Sequence, residues 1–155
     1  MKAIIEAFYT AFTNMDAEKM VSYYHDDIVF EDPAFGVLKG EHAKNMWRML
    51  IASQKGKKFL VRASDFRYAN HKGFAHWEAQ YKFSQTGRQV HNIIEAAFEF
   101  ENGKIIKHTD SFDLHRWAKQ AMGFKGYLLG GTTFFKKKLQ EQTGMLLMIY
   151  EEQSN

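Results

Sequence analysis

The chain has 155 residues, 45% of them apolar and 25% charged, with 21 Lys and Arg against 18 Asp and Glu for a net charge of +3. That length predicts one domain over 1–155, able to bury about 68–70% of its unfolded surface without a staple, and the absence of Cys excludes thiol catalysis, zinc–thiolate sites and redox motifs. Glu6 interrupts any N-terminal apolar core and no apolar run approaches the ~18–20 residues that span a bilayer, so a cytoplasmic protein with no membrane partner is expected.

In chain order, residues 3–13 place Ile4, Ala7, Phe8, Ala11 and Phe12 at helical spacing. Asp16 is placed to cap a second helix, with Met15 and Met20 able to form a hydrophobic staple. That helix is expected to end near Tyr24. Ile28, Phe30 and Asp32 then alternate with Val29 and Glu31, a short strand stopped by Pro33, the one proline. After Gly36 and Gly40, a third helix carries Ala43, Met46, Trp47 and Leu50 on one face. From residue 58 the period becomes two, and 58–68, 73–84, 89–101 and 104–114 read as four long strands. Gly73, Gly87 and Asn102-Gly103 mark their connections; both residues of that pair tolerate positive φ, a strong hairpin signal. Along 89–101, Val90, Asn92, Ile94, Ala96, Phe98 and Phe100 share one face, with Glu95, Glu99 and Glu101 opposite. An antiparallel meander with one face on the helices and a wetter outer face is therefore expected. Asp113 is placed to cap a helix through Trp117 and Ala121 that breaks at Gly123 and Gly126. A last amphipathic helix over 132–150 has Phe135, Leu139, Gln142 and Leu146 near one face, weakened at Gly144. The order of elements predicts an α+β fold, core 3–114 and helical tail 115–155. The basic clusters, Lys55, Lys57 and Lys58, then Lys136, Lys137 and Lys138, read as solvated faces, so no nucleic-acid partner is expected.

Two carboxylates stand on apolar strand faces. Asp32 shares its face with Ile28 and Phe30, and Asp110 alternates with Ile106, His108, Phe112 and Leu114. An apolar setting disfavours the charged form and moves a carboxyl toward values useful in proton transfer. The alternative for each is a structural acceptor of backbone or Tyr hydrogen bonds, a reading that weighs more for Asp32, beside Pro33 at a strand end, than for mid-strand Asp110. His108, on the face of Asp110, reads as structural or as a group that orients or protonates a substrate, ahead of a metal ligand; no metal is expected. The 14 Phe, 7 Tyr and 3 Trp can line a cavity as well as fill a core. Tyr9, Tyr24, Trp47, Trp77, Tyr81 and Phe112, with Asn92 on the inner strand face, are the candidate substrate-binding residues. In 73–84, Ala75 and Ala79 leave room beside Trp77, Tyr81 and Phe83.

The element order, Phe-Glu-Asp-Pro at 30–33 and Asp-Ser-Phe-Asp at 110–113 resemble the nuclear transport factor 2-like superfamily, in its SnoaL-like and ketosteroid isomerase-like branch. The resemblance covers about residues 3–114. It implies a cone, a curved antiparallel sheet wrapped around helices with a pocket at the wide end. Asp32 matches the general base of ketosteroid isomerase. That enzyme's oxyanion-hole Tyr falls at Phe8, beside Tyr9, and its second donor falls near Glu95, so a steroid isomerase proper is not implied. Asp110 matches the last-strand aspartate of the epoxide-hydrolase and cyclase branches, but the hydrolase's Arg-x-Asp pair has no counterpart in 73–84.

The expected function is that of a cofactor-free acid/base enzyme, isomerase- or aldol-cyclase-like, on a small, largely apolar carbonyl or cyclic compound. Asp32 would move the proton, and Asp110 with His108 would be the second acid/base or oxyanion donor. The alternative is a non-catalytic small-molecule-binding or dimeric module of the same fold. A homodimer is expected, through the tail face of Phe135, Leu139 and Leu146 or through the wetter sheet face.

Overall fold

The computed structural model of the chain describes residues 1–154. Helix α1 (Lys2–Thr13) buries Ile5, Phe8, Tyr9, Ala11 and Phe12. The buried stripe is turned slightly from the expected one: Ile4 and Ala7 are half-buried, and Tyr9 faces inward. Asp16 caps α2 (Ala17–Ser22) by accepting the Lys19 N–H at 3.0 Å. This helix stops short of the expected end, because Tyr24 already opens strand β1 (Tyr24–Asp32) with its ring turned into the core. A bulge between Tyr24 and Val29 leaves Asp26 and Asp27 exposed between buried Tyr24 and Ile28.

After the Pro33 turn the chain doubles back as β2 (Gly36–Lys39), antiparallel to β1. This strand escaped the sequence reading because four residues, the first of them a glycine, carry too little periodicity. Helix α3 (Glu41–Gln54) buries Ala43, Met46, Trp47 and Ile51.

Strands β3 (Leu60–Ala69), β4 (Lys72–Lys82), β5 (Gln89–Glu101) and β6 (Lys104–Ser111) form the expected antiparallel meander. The β5–β6 hairpin turns at Asn102 (φ 52°) and Gly103 (φ 74°), as that pair predicts. The β3–β4 hairpin turns instead at Asn70 and His71, both with positive φ. Gly73 is therefore not its turn residue. It lies in β4, where a Cβ would come within 2.5 Å of Ile5 Cδ1, so its absence lets α1 approach the sheet.

The sheet has six strands in the order β2-β1-β6-β5-β4-β3. Its one parallel pair is β1 with β6, which sets Phe30 opposite His108. Bulges between Ser64 and Arg67 and between Glu99 and Phe100 help curve it. Helix α1 packs against β3 and β4, and α3 against β1 and β2, so the concave face holds the core.

The tail is α4 (Leu114–Met122), α5 (Phe124–Leu129) and α6 (Thr133–Gln153). Asp113 caps α4 through the Arg116 N–H at 3.0 Å. Gly126 brings α5 against α4; a Cβ there would sit 1.9 Å from the Ala118 carbonyl oxygen. Helix α6 lies along α3. The apolar face expected to meet a partner is used within the chain: Leu139 is buried and Phe135 half-buried against Trp117, Ala118 and Val90. Exposed Leu146 is left at the mouth of a cavity.

Candidate functional site

A cavity of about 470 Å³ opens between the concave sheet face, α3 and α6, a size ordinary for a small-molecule site. Trp77, Ala79 and Ile94 form its sheet wall and Phe12, Met46 and Trp47 its helix wall. Helix α6 roofs it with Leu139, Gln142, Thr143, Leu146, Ile149 and Tyr150. The sequence carries this roof as positions three and four apart, a stripe that by itself does not say what it covers. Thr143 donates to the Ala34 carbonyl at 2.9 Å and Gln140 to the Pro33 carbonyl at 3.1 Å, while Glu151 accepts from Asn45 of α3.

Asp32 and Asp110 both line this cavity. Asp32 ends β1, and its Oδ1 accepts the Ala34 N–H at 2.9 Å and the Phe35 N–H at 2.6 Å. These two donors stabilise the carboxylate. Burial acts more strongly the other way, aided by the charge of Asp110, and holds the Asp32 carboxyl at about 7. At neutral pH it is therefore populated in both forms.

Asp110, the next-to-last residue of β6, which ends at Ser111 short of the expected 114, is 3% exposed. Its Oδ1 faces the His108 Nε2 at 2.9 Å and accepts the Trp77 indole N–H at 3.3 Å. His108 lies behind it, fully buried, with Nδ1 2.7 Å from the Tyr24 hydroxyl, which accepts the Trp47 indole N–H at 2.8 Å. Directions follow from what each group can donate. Trp47 donates to Tyr24, Tyr24 donates to Nδ1, and Nε2–H then donates to Asp110. Phe8, Phe30 and Phe98 enclose the His108 ring edge-on or tilted, and Trp47 stacks on it at 14°. Asp110 is thus fixed from behind, and its Oδ2 has no hydrogen bond within the described residues.

Of the other expected residues, Trp47, Trp77, Tyr81, Asn92 and Phe112 line the cavity, while Tyr9, Tyr24 and His108 stand behind the lining. His108 accordingly meets the cavity only through its contact with Asp110. Tyr81 accepts the Trp117 indole N–H at 2.8 Å, which leaves its own hydroxyl proton free, and burial together with the Asp32 charge raises its pKa. Tyr9 has a buried hydroxyl without a hydrogen-bond partner, and burial pushes its pKa well above the usual value. The sequence reading missed Trp117 and Ala34 at the lining, because both reach the cavity through the tail and the Pro33 turn. Among the described residues no group of three or more His, Asp or Glu side chains is arranged to hold a metal ion.

A curved sheet around helices with an apolar pocket and a few inward polar groups defines a cystatin-like α+β cone. Residues 5–108 match the profile of the SnoaL-like domain, and the chain belongs to that family. The match ends just before Asp110 and the tail. Solved structures share the fold. An M. tuberculosis LEH-like epoxide hydrolase is 22% identical, with a TM-score of 0.58 over 83% of this chain and 89% of its own. An NTF2-like protein of unknown function from Burkholderia pseudomallei is 15% identical, with 0.65 over 77% and 95%. A Catenulispora acidiphila protein with a ketosteroid isomerase-like fold, solved with trimethylamine, is 13% identical, with 0.62 over 76% and 91%. No curated protein sequence is significantly similar to this chain.

Proposed function

We propose that the chain is a cofactor-free acid/base enzyme that moves a proton on a small, largely apolar carbonyl or cyclic compound. The observation that carries this reading is a pair of carboxyl groups on one apolar cavity, one of them held at about 7. Asp32 takes a proton from the carbon next to the carbonyl and returns it, because a base near the working pH is both free to accept and able to release. Asp110, held by His108 and Trp77, anchors the substrate through a hydroxyl or enol proton on its free Oδ2. The Tyr81 hydroxyl is a donor available to the developing oxyanion. The apolar walls hold the ring or chain of the substrate and keep water out.

Proton transfer is read without knowing the natural substrate. A panel of small apolar ketones in deuterated buffer is expected to exchange α-protons, followed by NMR. Asp32→Asn is expected to lower the exchange rate about 10²–10⁴-fold. Exchange that survives in Asp32→Asn contradicts the assignment. One observation favours a second reading, a binding module without catalysis: Asp32 also caps the Pro33 turn through Ala34 and Phe35. That reading predicts saturable ketone binding with no exchange above buffer.

A further inference from the structure

Between Leu114 and Gln140 the chain carries Arg116, Lys119, Lys125, Lys136, Lys137 and Lys138 and no Asp or Glu, in a molecule whose net charge is only +3. Within this acid-free stretch, Phe124–Lys138 is the most exposed apolar part of the tail. Only Gly126 and Gly130 are buried there and Phe135 is half-buried; every other residue is exposed. The packing explains it. Gly126 and Gly130 press the α5 backbone against Ala118 of α4, which leaves Phe124 and Leu128 pointing to solvent and Tyr127 with one face on the His115 ring. Phe124 is 76% exposed, Leu128 58%, Tyr127 56% and Phe134 65%. Isolated exposed apolar residues need no explanation, but a run of them inside a lysine cluster does. Lys138 holds its ammonium 5.8 Å from the Phe134 ring and 3.7 Å from the exposed Glu141 carboxylate just past the stretch, so cation and ring lie side by side while Lys136 and Lys137 have no ion pair among the described residues.

We propose that Phe124–Lys138 docks on an anionic lipid surface. Phe124, Tyr127, Leu128 and Phe134 enter the boundary between headgroups and acyl chains, and Lys125 with Lys136, Lys137 and Lys138 meets the lipid anions. The segment lies on the bilayer and does not span it; no helix among the described residues is long and apolar enough to cross. Charge selects this occupant. A second copy would set the same lysines against each other, and a nucleic acid would meet the lysines but leave Leu128 and Leu129 in water. The proposal stands on the tail alone and does not depend on whether the cavity is catalytic.

Co-sedimentation of the full chain with vesicles tests it. Binding is expected to vesicles of phosphatidylcholine with phosphatidylserine, not to phosphatidylcholine alone, and is expected to weaken as salt rises. Each lysine near an anionic surface is worth about a 5-fold change, so Lys136→Gln, Lys137→Gln and Lys138→Gln together are expected to weaken binding about 100-fold. Phe124→Ser with Leu128→Ser is expected to weaken it too, at unchanged charge. All five positions are exposed, and circular dichroism checks that the variants keep the fold. Failure to sediment with the anionic vesicles overturns the proposal. Loss in the lysine variant alone, with equal affinity for a DNA duplex, marks a general polyanion surface and also overturns it. Loss in the Phe124/Leu128 variant alone marks uncharged adsorption and does the same.

Discussion

Tyr9, buried, and Asp32, half-buried at the cavity, are polar groups that make opposite demands on the fold. The Tyr9 hydroxyl has lost water and gained no partner, an arrangement that costs about 1–3 kcal/mol. Tyr9→Phe keeps the ring contacts with Trp77 and Phe98 and is expected to raise stability by roughly 1 kcal/mol in chemical denaturation; a loss of that size would mean that the hydroxyl is bonded. Asp32 has a carboxyl at about 7 in the fold and about 3.9 when unfolded. Folding therefore favours its protonated form. The stability this gives is complete below the unfolded value and is lost as pH rises through the folded one. Asp32→Asn keeps an oxygen for the Ala34 and Phe35 N–H groups. It is expected to gain roughly 2–3 kcal/mol on the native chain between about pH 5 and about pH 8, at about 1.4 kcal/mol per pKa unit. Identical pH dependence in the two proteins would mean an ordinary carboxylate at position 32. Asp32 and Asp110 were readable from sequence because strand alternation alone assigns them a face. The placing of His108 and Tyr24 behind Asp110 was not, since it depends on the parallel β1–β6 register, which no local pattern encodes.

At the scale of elements, two glycines of the tail separate chain geometry from packing. Gly144 lies in α6 with open space where a Cβ would stand. Gly144→Ala is expected to stabilise by about 0.5–1 kcal/mol through the lost freedom of the unfolded chain. Gly126→Ala puts a methyl into the Ala118 carbonyl and is expected to destabilise by roughly 3 kcal/mol as α5 is pushed off α4. Thermal melts of the two variants should move in opposite directions; movement in the same direction would contradict the close α4–α5 contact. The elements themselves were largely legible where one rule decides. Asn102-Gly103 turns a hairpin because both residues accept positive φ, and Asp16 and Asp113 cap helices because their side chains reach the third N–H. The Asn70–His71 turn was hidden because His carries no turn signal, and β2 exists because β1 offers it an edge.

Over the whole molecule, α6 joins the tail to the site. It roofs the cavity, and through Thr143 and Gln140 it holds the turn that Asp32 caps. Of its side chains Leu139 and Leu147 alone are buried, so little apolar burial holds this roof. Backbone amide exchange is expected to be faster in α6 than in β4 and β5, with Ala34 and Phe35 following α6; equal protection would mean a static roof. The sequence marked the apolar stripe of α6 but not its target, because an amphipathic face fits its own core and a partner equally well.

The proposed proton transfer depends on Asp32 being held near neutrality by burial and by Asp110. The measurement that tests this most directly is a carbon-detected NMR titration of the aspartate side-chain carboxyls, in the native chain and in Asp110→Asn. Asp32 is expected to titrate at about 7 and to move lower when the Asp110 charge is removed. Titration below about 4, or no response to Asp110→Asn, would mean a solvated or fully bonded carboxylate and would contradict the acid/base reading.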